Sequence, residues 1–184
     1  MNEELVEGKG ERSAVSGRFS VRERFDGLLE ELLTASRRVH GDRLVSPVVF
    51  ESVGRDTSRP DSDVDLLLVA EPLPGGRDLR VAKFEAVEDI LRPQVAELLW
   101  EGIHTRFSPP FKTSFRAGRG NPLFLDMFDD GRILTDPADL FAGILVRLRK
   151  RLSELGARCI WRGDAWYWNL KPDYKRREVF EIFP

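Results

Sequence analysis

Two aspartates one residue apart stand at the head of an apolar run: Asp63, Val64 and Asp65 lead into Leu66 to Val69. Polar turn residues precede the run, and Pro72, Pro74, Gly75 and Gly76 follow it, so Asp63 to Ala70 reads as a strand. Alternation along a strand sends both carboxylates out of the same sheet face. Two negative groups held that close repel each other, and Asp is unfavourable in strands, so the pair calls for a cation. Mg²⁺, or Mn²⁺ in its place, is the natural choice, because such an ion takes oxygen ligands and commonly combines one or two carboxylates with substrate phosphates.

Around this run the chain alternates helical and extended patterns. Residues 1–18 carry Gly, Ser and charge without apolar period and read as a flexible lead-in to a single domain over 19–184. Ser20 and Glu23 form a capping box for a first helix whose apolar positions run from Val21 to Val39, ending near Gly41. Leu44 to Phe50 is a strand, and Leu79 to Glu101 a second helix that Pro93 should break or bend. His104 to Ser114 reads as an edge hairpin. Leu123 to Phe128 and Arg132 to Thr135 read as two strands joined at Asp129, Asp130 and Gly131. From about residue 136 an extension follows: a helix with Asp136 as its cap, Pro137 in its first turn and Gly156 as its close, then a hairpin of Arg158 to Trp161 with Ala165 to Leu170. The sum is α+β, a mixed sheet with helices mainly on one face plus the C-terminal helix and hairpin.

Charge and cysteine content exclude several classes. With 29 basic against 31 acidic residues, the net charge of -2 argues against coating nucleic-acid phosphate. One cysteine and two histidines cannot build an ordinary Cys/His zinc site, so any metal must be held by carboxylates. No apolar stretch approaches the roughly 20 residues that span a bilayer, and the polar, acidic start is unlike a signal peptide. The expectation is a cytoplasmic protein without membrane association. The basic cluster Arg147, Arg149, Lys150 and Arg151 reads as a solvated helix face, and Trp166 with Trp168 as hairpin packing.

Asp126 is the one charge in the apolar segment Leu123 to Phe128. On a strand beside Asp63 and Asp65 it would complete a cluster for two metal ions about 3.5–4 Å apart, the arrangement of in-line phosphoryl displacement. Alternatively Asp63 caps a turn, Asp65 meets an arginine and Asp126 ends a strand. Spacing alone leaves both readings open.

An apolar strand, a turn carrying Ser52, and then RPDSDVDLLLV together resemble the signature of the DNA polymerase β-like nucleotidyltransferase superfamily, in particular its minimal nucleotidyltransferase (MNT) domains. The later segments NPLFLDM, DDGRILTD and RLSELGARCIWRGDAWYWNLKPDY are similar to archaeal and bacterial proteins of that kind, so the likeness spans about residues 20 to 182. The resemblance implies the polymerase β palm-like fold. It implies that Asp63 and Asp65 bind both metals and that Asp126 binds the one activating the acceptor hydroxyl. Ser52 and its turn would receive the β- and γ-phosphates. The substrate would be a nucleoside triphosphate, ATP first. AMP would pass to a hydroxyl of an acceptor, whether protein, RNA or small molecule, and a HEPN-type partner protein would accompany such a domain.

The family pattern has Gly-Ser where this chain has Glu51-Ser52. Glu51 adds a side chain and a negative charge where backbone approaches phosphate, and a like-charge contact at 4 Å costs about 4 kcal/mol at an effective dielectric near 20. Arg55 and Arg59 are close enough in sequence to offset it and to serve the phosphates. The alternative function is therefore a degenerate nucleotide-binding or antitoxin-like module that keeps the fold without turnover.

Overall fold

A computed structural model of the chain describes residues 19–163 and 165–183. The expected lead-in over 1–18 and Asp164 of the hairpin turn lie outside them. In chain order the elements are α1 (Val21–His40), β1 (Leu44–Phe50), α2 (Glu51–Gly54), β2 (Val64–Ala70), α3 (Arg77–Trp100), β3 (Phe107–Ser108), β4 (Phe111–Lys112), α4 (Ser114–Gly118), β5 (Arg132–Ile133), α5 (Leu140–Glu154), β6 (Arg158–Arg162) and β7 (Ala165–Asn169).

The central sheet runs β3-β2-β1-β5, with β4 also pairing β2. β1 is antiparallel to β2 and β5, whereas β3 and β4 lie parallel to β2, so the sheet is mixed as expected. Leu66 to Ala70 are fully buried, because each face of β2 meets its own core. On one side Val49, Val64, Leu66 and Leu68 pack against α1 and α3 through Leu28, Leu32, Phe84 and Val87. On the other, Val48, Phe50, Leu67 and Val69 pack against α5, Phe124 and Met127. Burying such a side chain contributes roughly 1.5–3 kcal/mol. The two long helices thus share one face, and the C-terminal helix covers the other. The chain's end closes the second core: Phe183 packs edge-on to Phe124, and Arg151 Nε donates to the Glu181 carbonyl at 2.8 Å.

The Ser20/Glu23 capping box forms as expected. Asp136 does cap α5, accepting the Phe141 and Ala142 N–H groups at 2.8 Å, but from outside a loop, since the helix itself opens at Leu140. β6 and β7 pair antiparallel as a separate hairpin, with Trp168 edge-on to Phe128.

Three expected elements differ. α3 runs unbroken through Pro93. Pro93 is exposed, so the carbonyl it cannot serve is free to meet water. The 104–114 segment is no hairpin: Pro109 and Pro110 keep the backbone extended, and the chain continues along β2 as β3 and β4. Leu123 to Phe128 is not a strand. Asn121 caps a 3-10 helix at Pro122–Leu125 by accepting the Leu123 N–H at 3.0 Å, and Asp126 follows in a helical conformation. The Asn-Pro start outweighs the apolar run, and Phe124 and Met127, three apart, are the residues buried. Only Arg132–Ile133 then pairs with β1.

His40, at the end of α1, is 3% exposed and its Nε2 has no hydrogen-bond partner. Burial first, then the charges of Lys83 and Arg43, lower its pKa from 6.5 to about 4. The unfolded chain takes up the proton near 6.5 and the folded chain only near 4, so stability is full above 6.5 and falls as pH drops through that window. Denaturation of the native chain against a His40→Leu variant across pH 7 to 4 should show this step only in the native chain; superimposed profiles would refute it.

Candidate functional site

The antiparallel register sets Phe50 opposite Asp65, so the end of β1 meets the start of β2. There the chain makes a single helical turn, α2, that turns back over the sheet end. Its first residue, Glu51, has φ +57°, a left-handed conformation that favours Gly. Gly54 fits because it has no side chain: a Cβ there would lie 2.7 Å from the Asp130 carbonyl oxygen and 2.8 Å from that of Val49. Arg55 fastens the turn, pairing with Glu51 at 3.1 Å and Asp130 at 3.6 Å. Behind it, Asp26, Arg22, Asp56 and Arg132 alternate in a closed ring that joins α1, the segment after α2, and β5.

Asp65 is half-buried, on the face of the second core, and it makes no hydrogen bond or ion pair among the described residues. Burial raises its carboxyl above the ordinary range, and the charges of Glu51 and Asp63 raise it further. Asp63 is exposed and precedes the first paired residue, so strand alternation does not govern it; its Oδ1 accepts the Arg106 N–H at 3.0 Å. Asp65 borders a cleft of about 880 Å³ and Asp63 one of about 410 Å³, yet the two stand close enough for the Asp63 charge to act on Asp65.

Asp126 does not stand on a strand beside the pair. The strand neighbours of Asp65 are Phe50 on β1 and Ser108 on β3. Asp126 is half-buried within electrostatic reach of the α2 turn: burial raises its pKa, Glu51 raises it further and Arg55 lowers it. Among the described residues no three acidic, His or Cys side chains gather as a complete metal cage. A cation fits the site in a narrower way. Asp65 is a hard oxygen donor without a counter-charge, Asp63 is its neighbour, and a hard divalent ion can complete its shell from substrate phosphates and water.

The expected phosphate cations divide. Arg55 is committed to Glu51 and Asp130, whereas Arg59 is exposed and makes no ion pair among the described residues, its N–H donating to Ser62 Oγ at 2.9 Å. Ser52 lies in the turn, its carbonyl accepting the Thr57 N–H at 2.9 Å. Sequence reasoning missed three groups: Gly54, Ser108, and the arginines Arg77 and Arg80 that line the larger cleft together with Asp65. Gly54 was visible as the last small residue of the turn. The other placements depend on β3 running parallel to β2, which no local pattern announces.

No family model matches the chain. It is 30% identical over 129 residues to a candidate protein adenylyltransferase of Methanocaldococcus jannaschii, MJ1305, covering 67% of this chain and 80% of that one. Two crystal structures of toxin-antitoxin complexes, one with AMP-PNP and one a doubly substituted MntA-HpeT pair, are 16% and 14% identical, each over 68% of this chain and 90% of theirs, with a TM-score of 0.42.

Because Glu51 raises both Asp65 and Asp126, Glu51→Gln should lower both carboxyl pKa values. Carboxyl-carbon NMR titration reads this directly, and an unchanged pair would show that Glu51 is remote from them.

Proposed function

This chain belongs to the MNT-type nucleotidyltransferases of the DNA polymerase β-like superfamily, and we propose that it moves AMP from ATP to a hydroxyl of an acceptor protein with the help of Mg²⁺ or Mn²⁺. The observation that carries the proposal is Asp65, a half-buried carboxylate without a counter-charge, beside Asp63 and between the α2 turn and a large cleft.

In this reading the acceptor oxygen forms a bond to the α-phosphorus as the bond from that phosphorus to the β-bridging oxygen breaks. The hydroxyl proton leaves to a carboxylate or to water, and pyrophosphate departs with the electron pair. Asp63 and Asp65 would hold the metal, which when bound supplies positive charge to the phosphates and favours the deprotonated acceptor. Asp126 enters as the third acid on electrostatic grounds, given its response to Glu51 and Arg55. Ser52 and the N–H groups of the α2 turn would meet the terminal phosphates. With only four residues in α2, backbone contact rather than a long helix dipole does this. Arg59 would supply the free cation, while Arg55 acts as a positioning residue by holding Glu51 and the Asp130 loop. A HEPN-type partner and a cytoplasmic setting belong to the same proposal. No helix among the described residues is long and apolar enough to cross a membrane.

The second reading, a nucleotide-binding module without turnover, is favoured by Glu51 alone, whose charge stands by the phosphate turn. α-Labelled ATP with Mg²⁺ or Mn²⁺ and cell extract separates the two: labelled acceptor supports transfer, and nucleotide binding without label supports the module. Asp65→Asn should reduce labelling more than about 100-fold while leaving the fold as stable or slightly more so, since it removes a half-buried charge. Loss of folding in that variant would make Asp65 structural.

Glu51→Gly relieves the left-handed φ, worth about 1 kcal/mol, and loses an ion pair of about 0–1 kcal/mol, so stability should change little. Removing the charge should tighten Mg·ATP binding about tenfold by calorimetry. Equal affinities would clear Glu51 of opposing the phosphates.

A further inference from the structure

Resting on the transfer reading above, we propose that the 880 Å³ cleft beside Asp65 is the acceptor site, and that it selects a hydroxyl-bearing protein segment with acidic residues next to the hydroxyl. The sheet order fixes its side. The turn proposed for the phosphates follows β1, and from Phe50 at the end of β1 the cleft runs past Asp65 and along β3 and β4. In-line displacement requires the attacking oxygen and the leaving pyrophosphate to lie on opposite sides of the α-phosphorus. A leaving group on the β1 flank therefore puts the acceptor on the β3 flank, where Ser108 is the neutral strand neighbour of Asp65.

The cleft's charges define what it takes. Arg77 and Arg80 reach it from the first turns of α3, and neither forms an ion pair among the described residues. Arg80 spends only its Nε, donating to the Pro74 carbonyl at 2.8 Å, which holds the guanidinium while leaving its terminal N–H groups for a ligand. Guanidinium groups bind carboxylates with paired hydrogen bonds. The walls between the arginines and Asp65 are largely apolar, with Phe107 and Phe111 among them. Two cations between apolar walls suit a peptide with a short acidic flank; Glu88, whose charge opposes any anion, further denies the cleft the row of cations that nucleic-acid phosphates need.

The test uses the full chain and matched peptides carrying Ser, Thr or Tyr between Glu residues or between Lys residues. Calorimetry without ATP should show the Glu-flanked peptides binding at least about tenfold more tightly. Arg77→Ala combined with Arg80→Ala should remove that advantage while affinity for a non-hydrolysable ATP analogue stays unchanged. With α-labelled ATP and Mg²⁺, the double variant should raise the KM for Glu-flanked peptides about tenfold. Arg77→Glu with Arg80→Glu, which keeps bulk and helix propensity, should turn the preference toward Lys-flanked peptides. Equal binding of both peptide sets, a loss of ATP-analogue affinity in step with peptide affinity, or preferential labelling of an oligoribonucleotide would overturn the inference. If the peptides bind as expected but no pyrophosphate is released under any condition, the transfer reading is what fails.

Discussion

β2 is walled by apolar side chains on both faces, so the central strand admits one register. A slip of a single residue would drive Asp65 into the position of Leu66 or Val64, which are fully buried. The charge is tolerated only at the strand's head, where the sheet ends and the cleft begins. The position of the half-buried carboxylate is thus a by-product of how the two cores grip the strand behind it.

The turn that faces this carboxylate is secured differently. Its geometry calls for Gly at its first residue and has Glu51, and it calls for Gly at its last and has Gly54. The Arg55 bridge from Glu51 to Asp130 offsets both the charge and the conformation. The chain thereby keeps the backbone path of the turn while spending on its own carboxylate a cation that would otherwise be free for phosphate. Glu51 is the residue on which the two functional readings part.

What could be read from the sequence followed how local the determinants were. The α1 capping box, β1, β2 and the terminal hairpin depend on neighbours within a few residues, and all were legible. Asp63 and Asp65 stood out as candidates because the run they head is so apolar. Asp126 stood out as the one charge in an apolar segment but was set on a strand that does not form: Asn121 and Pro122 start a 3-10 turn, and an apolar run of that length does not by itself distinguish the two. Arg77 and Arg80 carry no motif. They gain meaning only once β3 lies parallel to β2 and closes a cleft between α3 and Asp65.

The ring of Asp26, Arg22, Asp56 and Arg132 that braces the segment after α2 is partly open to water, its side chains ranging from 34% exposed at Asp26 to 61% at Arg22. Exposed charges separated by more than about 8 Å are screened at physiological ionic strength, and closer ones weaken as electrolyte rises. Concentrated salt would loosen this brace even with nothing bound, so part of any ionic-strength dependence of the protein's behaviour would originate in its own scaffold rather than in the charge of whatever it holds.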